Sequence, residues 1–468
     1  MVDPHLPSHG DPDWGNTLND FLKVSHNDDG SHKDIINVRD FGTIGDGIIN
    51  DQPAIQNAIN SARDTGKGIV FFPAGTYLIN ESILGDSHIT LQGVGETSII
   101  KASNDLTDFM IKYVGTYESK KYTCCVQNLL LNGDDKPGVI GGILLEYAVR
   151  STVRNVKITY MPNNNAIGLS LVGETWNNIF DSVNVQLGSS SAIGPVGDVG
   201  FKVTGGNHTN ITWINCLAHL CKTGFKADNQ DPISTNFVWE NCTSNSVPSA
   251  TRSNTGIAGF EIGDGLRGWK ISAPHIEHWE KTGEYGMKIN GKARSGIISS
   301  ATFYSCDTSI YLNECDNILI DRINYDGAFT GYKPLEITSS AKYIQLGDST
   351  KYGTHVDVLS TYEEGCIVYF QDSPYKKIRA FISGDSTPDM GVGDLFKTAD
   401  TTTITNFDNG LEGKEIKILI KNTMSFTHGS GLVLSGATNW TTAKNGDSIK
   451  FIYDGTNWIE ISRSVNNI

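Results

Sequence analysis

The sequence has no run approaching the ~20 apolar residues that a helical membrane span requires, so no insertion into a membrane is expected. Positive charge is in deficit. Lys and Arg number 37 against 52 Asp and Glu, for a net charge of −15, which argues against a nucleic-acid partner. Cys-x-x-Cys pairs are missing. The eight cysteines Cys124, Cys125, Cys216, Cys221, Cys242, Cys306, Cys315 and Cys366 complete no zinc pattern with histidine, and read as buried free thiols. Only 14 prolines stand against 50 glycines, and aromatics make up 9%, a balance that suits many turns and slim repeating coils. The opening MVDPHLPSHG lacks the basic and apolar stretches of a signal peptide. The patterns imply no cofactor.

What is present is organised around residues 36–79. A strand and a Gly-rich turn precede a short helix, expected over Asp51–Thr65. Asp51 serves as N-cap, Pro53 sits in the first turn and Gly66 at the left-handed stop. Ala54, Ile55, Ala58, Ile59 and Ala62 form one apolar face. Strand patterns follow almost without interruption. A lone amphipathic helix ahead of a long β array is suited to covering the open end of a solenoid.

From Gly142 to Gly327 a repeat of Gly-apolar-x-apolar recurs, beginning at Gly142, Gly168, Gly200, Gly224, Gly259 and Gly286 and continued by Ser309-Ile-Tyr-Leu. Each glycine is expected at a corner with permissive backbone angles. Period-two alternation sends Ser170, Lys202, Lys226, Glu261, Lys288 and Tyr311 outward as one column. A second strand set places Val156, Val183, Cys216, Cys242, Ala273, Ala301 and Ile323 inward. It places Thr159, Gln186, His219, Asn245, Glu277, Tyr304 and Asp326 outward. The Glu277 coil carries one extra residue, read as a bulge.

The motif V-x-D-F-G-x-x-G-D-G (from Val38), then D-x-x-A-I-Q-x-A-I (from Asp51), then G-x-V-x-F-P-x-G-x-Y (from Gly68), resembles the start of the pectate-lyase-like superfamily. The resemblance implies an all-β fold: a right-handed parallel β-helix with a short N-terminal capping helix. The last stretch, with strands around Asn-Gly and Asp-Gly turns, resembles a C-terminal antiparallel β module of phage tail proteins, associated with trimerisation or receptor binding. Residues 3–33 resemble N-terminal arms of phage tail appendages. The chain thus divides into an arm (1–33), a β-helix (34–352) and a β module (353–468). Histidines His5, His9, His26 and His32 of the arm fit no metal-binding spacing.

The resemblance implies a phage tailspike-like depolymerase. Its partners would be a host surface polysaccharide (capsule, exopolysaccharide or teichoic acid), two further copies of itself in a homotrimer, and the tail or baseplate through the arm. Its place would be the virion. A non-enzymatic trimeric receptor-binding protein and a non-phage carbohydrate-active enzyme are the alternatives. The polygalacturonase motifs of the superfamily are missing, which sets plain pectin chemistry aside. The richest region runs from Lys226 to Glu284. Glu277 is the expected catalytic carboxyl, with Glu261, Asp228 or Glu240 as partner and His275 as a base or a structural histidine. Trp279 is the expected sugar platform, with His278, Arg252 and Lys226 binding substrate. Outward Glu and Lys on such a surface also form plain ion-pair ladders, Asp264 fits a turn, and Trp269 fits the core. Hydrolysis by two carboxyls is favoured over β-elimination, for which His275 with Arg252 or Lys270 would serve.

Overall fold

The computed structural model describes residues 12–26, 35–161, 164–188, 197–228, 234–246, 256–326, 333–338, 340–346, 361–362, 368–370, 378–390 and 393–466. Two compact units make up the chain. The first runs through the β-helix to Glu314 and includes Ile323–Glu336.

Its coils are closed by parallel pairing, strand on strand, around an apolar interior, as a right-handed β-helix requires. Helix α1 (Trp14–Ser25) lies within the arm. Helix α2 (Gln52–Thr65) is the expected cap. It buries Ile55, Ala58, Ile59 and Ala62 and ends at Gly66 with φ 69°. Asp51 does not cap it through its side chain. Its carboxylate instead accepts the Ile44 and Gly45 N–H groups at 2.7 and 3.1 Å, tying the Gly-rich turn to the helix start.

Each coil presents three faces. The first and second share one sheet and are separated by a residue with positive φ: Asn128, Asn155, Ser182, Asn215, Asn241, Ala273 or Ser300. Another such column, Asn177, Asn210 and Asn236, precedes the first face. Asn tolerates this conformation and its amide can bond the next coil. Asn155 donates to Asn128 at 2.7 Å, Asn241 to Asn215 at 2.7 Å, and Asn210 to Asn177 at 2.9 Å. The third face holds the Gly-apolar-x-apolar strands in register: Ser170 opposite Lys202, Lys202 opposite Lys226, then Glu261, Lys288 and Tyr311.

Register stacks like on like inside. Phe201, Phe225 and Phe260 stack with centroids 4.7 and 4.6 Å apart, and Trp213 lies 4.9 Å from Trp239. These distances match the ~4.8 Å rise between paired strands. Burying each such ring contributes roughly 1.5–3 kcal/mol, repeated coil after coil. The buried cysteines Cys216 and Cys242 sit in this interior, and the seven described cysteines are all free.

Two sequence readings are corrected. The repeat glycines do not turn corners with positive φ; they lie within strands where a side chain has no room. A Cβ on Gly168 would meet Val185 Cγ1 at 2.3 Å, and one on Gly224 would meet Ser244 Oγ at 2.1 Å. The bulge is also not there. Glu277 pairs in register with Asn245 before it and Tyr304 after it. The coil has no extra residue: Glu240 pairs with Ser272 and Thr243 with His275, so Ala273, exposed at the left-handed corner (φ 48°), matches Asn241, and Pro274 rather than Ala273 takes the inward place beside Cys242.

The second unit contains an antiparallel arrangement within a six-stranded sheet. Glu415–Leu419 pairs with Ser448–Tyr453, which pairs with Trp458–Ser464 across the Asp454-Gly455 turn. Phe407, Phe426, Phe451 and Trp458 fill its core.

Candidate functional site

The second face carries the outward column Thr159, Gln186, His219, Asn245, Glu277 and Tyr304, each in register with the next. Beside it runs Lys157, Asn184, Leu217, Thr243, His275 and Thr302. At its N-terminal end this face is hollowed into a groove of about 410 Å³, lined by Glu96, Lys157, Asn184, Asn215 and Leu217 among others. Lys157 reaches across to Glu96 at 2.9 Å. The groove and the Glu277 strand therefore lie along one face.

Residues His275–Trp279 form the strand that positions the central group. His275 and Glu277 point the same way because they are two apart, and His275 Nε2 contacts Glu277 Oε1. Their side chains are 44% and 30% exposed, open to a ligand. His278 follows with φ 61°. This residue rotates the chain, so the simple alternation stops. Trp279 turns inward and is 1% exposed, its indole N–H 3.5 Å from the Ser244 carbonyl and its backbone opposite Cys306. The expected sugar platform is thus core, a correction to the alternation reading. His278 pairs with Glu280 at 2.9 Å and meets the Tyr304 ring edge-to-face at 5.4 Å. Tyr304 was in the expected column but was not read as part of the site; its in-register place beside Glu277 was the available signal. The same holds for His219, which contacts Asn245 one coil earlier.

The other carboxylates sit elsewhere on the coil. Glu261 is on the third face, nearly buried, between Lys226 at 3.1 Å and Lys288 at 3.8 Å. Asp228 lies 3.7 Å from Lys226. Burial pulls the Lys226 ammonium down, but Glu261 and Asp228 together more than offset this, and its pKa stands above the usual lysine value. Glu240 is exposed at the end of the first face, opposite Ser272. Glu277 is therefore grouped with His275, His278 and Tyr304, while Glu261, Asp228 and Lys226 form an ion-pair ladder on another face. Glu284 is fully buried and holds the Gly256 and Lys281 N–H groups at 2.5 and 3.0 Å, which pins a loop. Arg252 lies outside the described residues, as do His5, His9 and His32 of the arm.

A half-exposed carboxylate, imidazole and phenol on one face can give and take protons at a bound molecule. Among the described residues no three His, Cys, Asp or Glu side chains converge to hold a metal ion.

Residues 35–257 match the family described as rhamnogalacturonase A/epimerase, pectate lyase-like. Mannuronan C5-epimerase AlgE1 of Azotobacter vinelandii is 33% identical over 119 residues, 23% of this chain and 8% of that protein. The tail spike protein of Shigella phage Sf6 is 28% identical over 119 residues, 24% of this chain and 18% of that protein. The chain spans less than a quarter of the length of these curated relatives. The tailspike gp42 of Acinetobacter phage vb_AbaP_AS12 shares the fold, with a TM-score of 0.53 at 10% identity over 93% of this chain and 83% of that one. The chain carries a pectate-lyase-like parallel β-helix.

Proposed function

We propose that this chain is a phage tailspike-like protein that binds a host surface polysaccharide along the second face and cleaves it at Glu277. The observation that carries the reading is the His275–Glu277 contact, exposed on the face that also holds the groove. The similarity to a tail spike protein and to a C5-epimerase supports a carbohydrate-acting role within a phage particle. The arrangement favours β-elimination at a uronate over hydrolysis by two carboxyls. Hydrolysis needs two carboxyl groups facing each other across the scissile bond. Glu277 has an imidazole and a phenol beside it, whereas Glu261 and Asp228 are engaged by lysines on another face. Elimination needs a base at the carbon next to the carboxylate and a proton donor for the leaving oxygen. His275, oriented by Glu277, supplies the first, and Tyr304 the second.

We place three such chains side by side in a trimer, attached to the tail through the arm that contains α1. The first face offers an outward apolar stripe for this packing: Ile179 in register with Thr212, Thr212 with Val238, and, past Lys270, Ile297.

The test is to incubate the purified chain with host surface polymers and follow both new reducing ends and absorbance of an unsaturated uronide. Elimination yields both, and hydrolysis yields reducing ends alone. Glu277→Gln should slow turnover about 10²-fold or more while the polymer still binds. Wild-type rates in Glu277→Gln would move the site elsewhere. Binding without any shortening of the polymer would make the protein a receptor-binding module.

A further inference from the structure

A second site stands apart from the Glu277 group, at the corner that precedes the first face. Trp176 points outward and is half-buried, unlike the tryptophans of the β-helix interior. One side of its ring is occupied. Val149, in register one coil earlier, is fully buried, and the Lys120 ammonium lies 5.3 Å from the ring centroid. Toward the following coil the ring borders a pocket of about 190 Å³, lined by Glu174, Asn177, Asn207, Thr209 and Asn210. Thr209 is the residue in register with Trp176 on that side.

The walls are rigid. Asn177 and Asn210 belong to the left-handed corner column and are bonded to each other at 2.9 Å, and Asn210 accepts from Asn236 at 3.0 Å. The backbone that carries the aromatic and amide groups is therefore fixed before any ligand arrives. Asn207 holds a buried amide oxygen with no protein hydrogen-bond partner beside the pocket, an acceptor left over from folding. Rotation of that side chain toward the pocket would offer the oxygen to a ligand donor and give it the partner it lacks.

We propose that this pocket is an accessory carbohydrate-binding site for one neutral pyranose unit. The ring of Trp176 offers an apolar plate for the C–H face of a sugar. The surrounding amides and the Thr209 hydroxyl are donors and acceptors spaced for its hydroxyls. The volume holds a single ring rather than an oligomer, being below the 300–1,000 Å³ of sites for larger ligands. Charge sets the class. Lys120 is committed to Glu174 at 3.4 Å and to the faces of Tyr117 and Trp176. The lining therefore presents no cation to a uronate, its one charged side chain being Glu174, already paired with Lys120. The site would tether the polymer through a neutral residue while the Glu277 face acts on another, and it does not depend on what chemistry that face performs.

The eight tryptophans give a direct assay. Trp213, Trp239, Trp269, Trp279 and Trp458 are at most 1% exposed and Trp440 is 6% exposed, whereas Trp14 on α1 is 52% exposed. In a Trp14→Phe chain, Trp176 is the tryptophan that a soluble quencher reaches. The probes are the methyl pyranosides of glucose, galactose, mannose and rhamnose, with sodium polygalacturonate as the anionic comparison. At least one neutral glycoside should protect this fluorescence from acrylamide at millimolar concentration, and polygalacturonate should not. Trp176→Leu, added to Trp14→Phe, should abolish the protection while circular dichroism and the melting temperature stay as before. No protection by any of the four glycosides overturns the proposal, as does equal protection by polygalacturonate or protection that persists in Trp176→Leu.

Discussion

His208 makes the stability of the β-helix sensitive to mild acid. Its imidazole is fully buried one coil beyond Thr175, directly beneath the Trp176 corner. Nε2 faces the Thr204 carbonyl at 3.3 Å, which can only accept, so the ring proton resides there. Nδ1 then accepts from the Thr175 hydroxyl at 2.7 Å. A second proton would break that bond and bury a charge. Burial accordingly pulls the pKa from the ordinary 6.5 down to about 4, against a smaller opposing effect of the Thr204 carbonyl. Between these two values the unfolded chain binds a proton that the folded chain refuses. The stabilisation is therefore complete above about pH 6.5 and is lost as pH falls toward 4. Between pH 7 and pH 5 the loss amounts to about 2 kcal/mol, on the order of a twentyfold to thirtyfold change in the folding equilibrium. The assay compares denaturant-unfolding midpoints at pH 7 and pH 5 for wild type and His208→Gln. Glutamine is neutral throughout, so the variant should be less stable at pH 7 and should lose about 2 kcal/mol less than wild type on acidification. An identical acid-induced loss in both proteins would refute the buried-neutral assignment.

Other outcomes follow from the packing. Gly224→Ala would drive a methyl group to 2.1 Å from Ser244 Oγ, so it should destabilise by about 1–3 kcal/mol, read as a lowered melting temperature. Trp279→Ala removes a core ring and should cost about 3–5 kcal/mol of stability, whereas a surface platform would lose glycan binding with its fold untouched. Light scattering should give a mass near three times 50.9 kDa, and Ile179→Glu with Ile297→Glu should lower it if the apolar stripe holds the chains together.

Much of the β-helix was legible because its code is simple. Parallel pairing in register lets one residue of each coil be matched to the next, and apolar residues at alternate positions mark the interior. The columns through Lys226–Glu261–Lys288 and through Asn245–Glu277–Tyr304 could therefore be written down from spacing alone. The failures share one cause. A residue with positive φ breaks the alternation, and outside glycine its sequence signature is weak. His278 and Ala273 both occupy such corners, and neither residue type announces it. Hence Trp279 was put outside, and Ser272 was aligned with the corner residue Asn241 in place of Ala273, which left one residue over and suggested a bulge. The repeat glycines misled in the opposite direction, since glycine serves close approach as well as unusual backbone angles.

The candidate site shows what density along a sequence leaves out. Between Lys226 and Glu284 the carboxylates look like one cluster, but a coil distributes successive strands over three faces. Residues about one coil apart become neighbours, while those a few positions apart across a corner separate. Glu277 thus meets Tyr304 of the next coil, and Glu261 meets lysines of the coils on either side. A pair of carboxyls read from the sequence becomes a carboxylate–imidazole pair with a phenol beside it, and the chemistry to expect changes with it. The same sorting leaves Trp176 outside and Trp213, Trp239, Trp269 and Trp279 fully inside, although nothing in local composition distinguishes them. On this scaffold a residue's function is decided by its face and by the coil stacked next to it, and both are set by the corners.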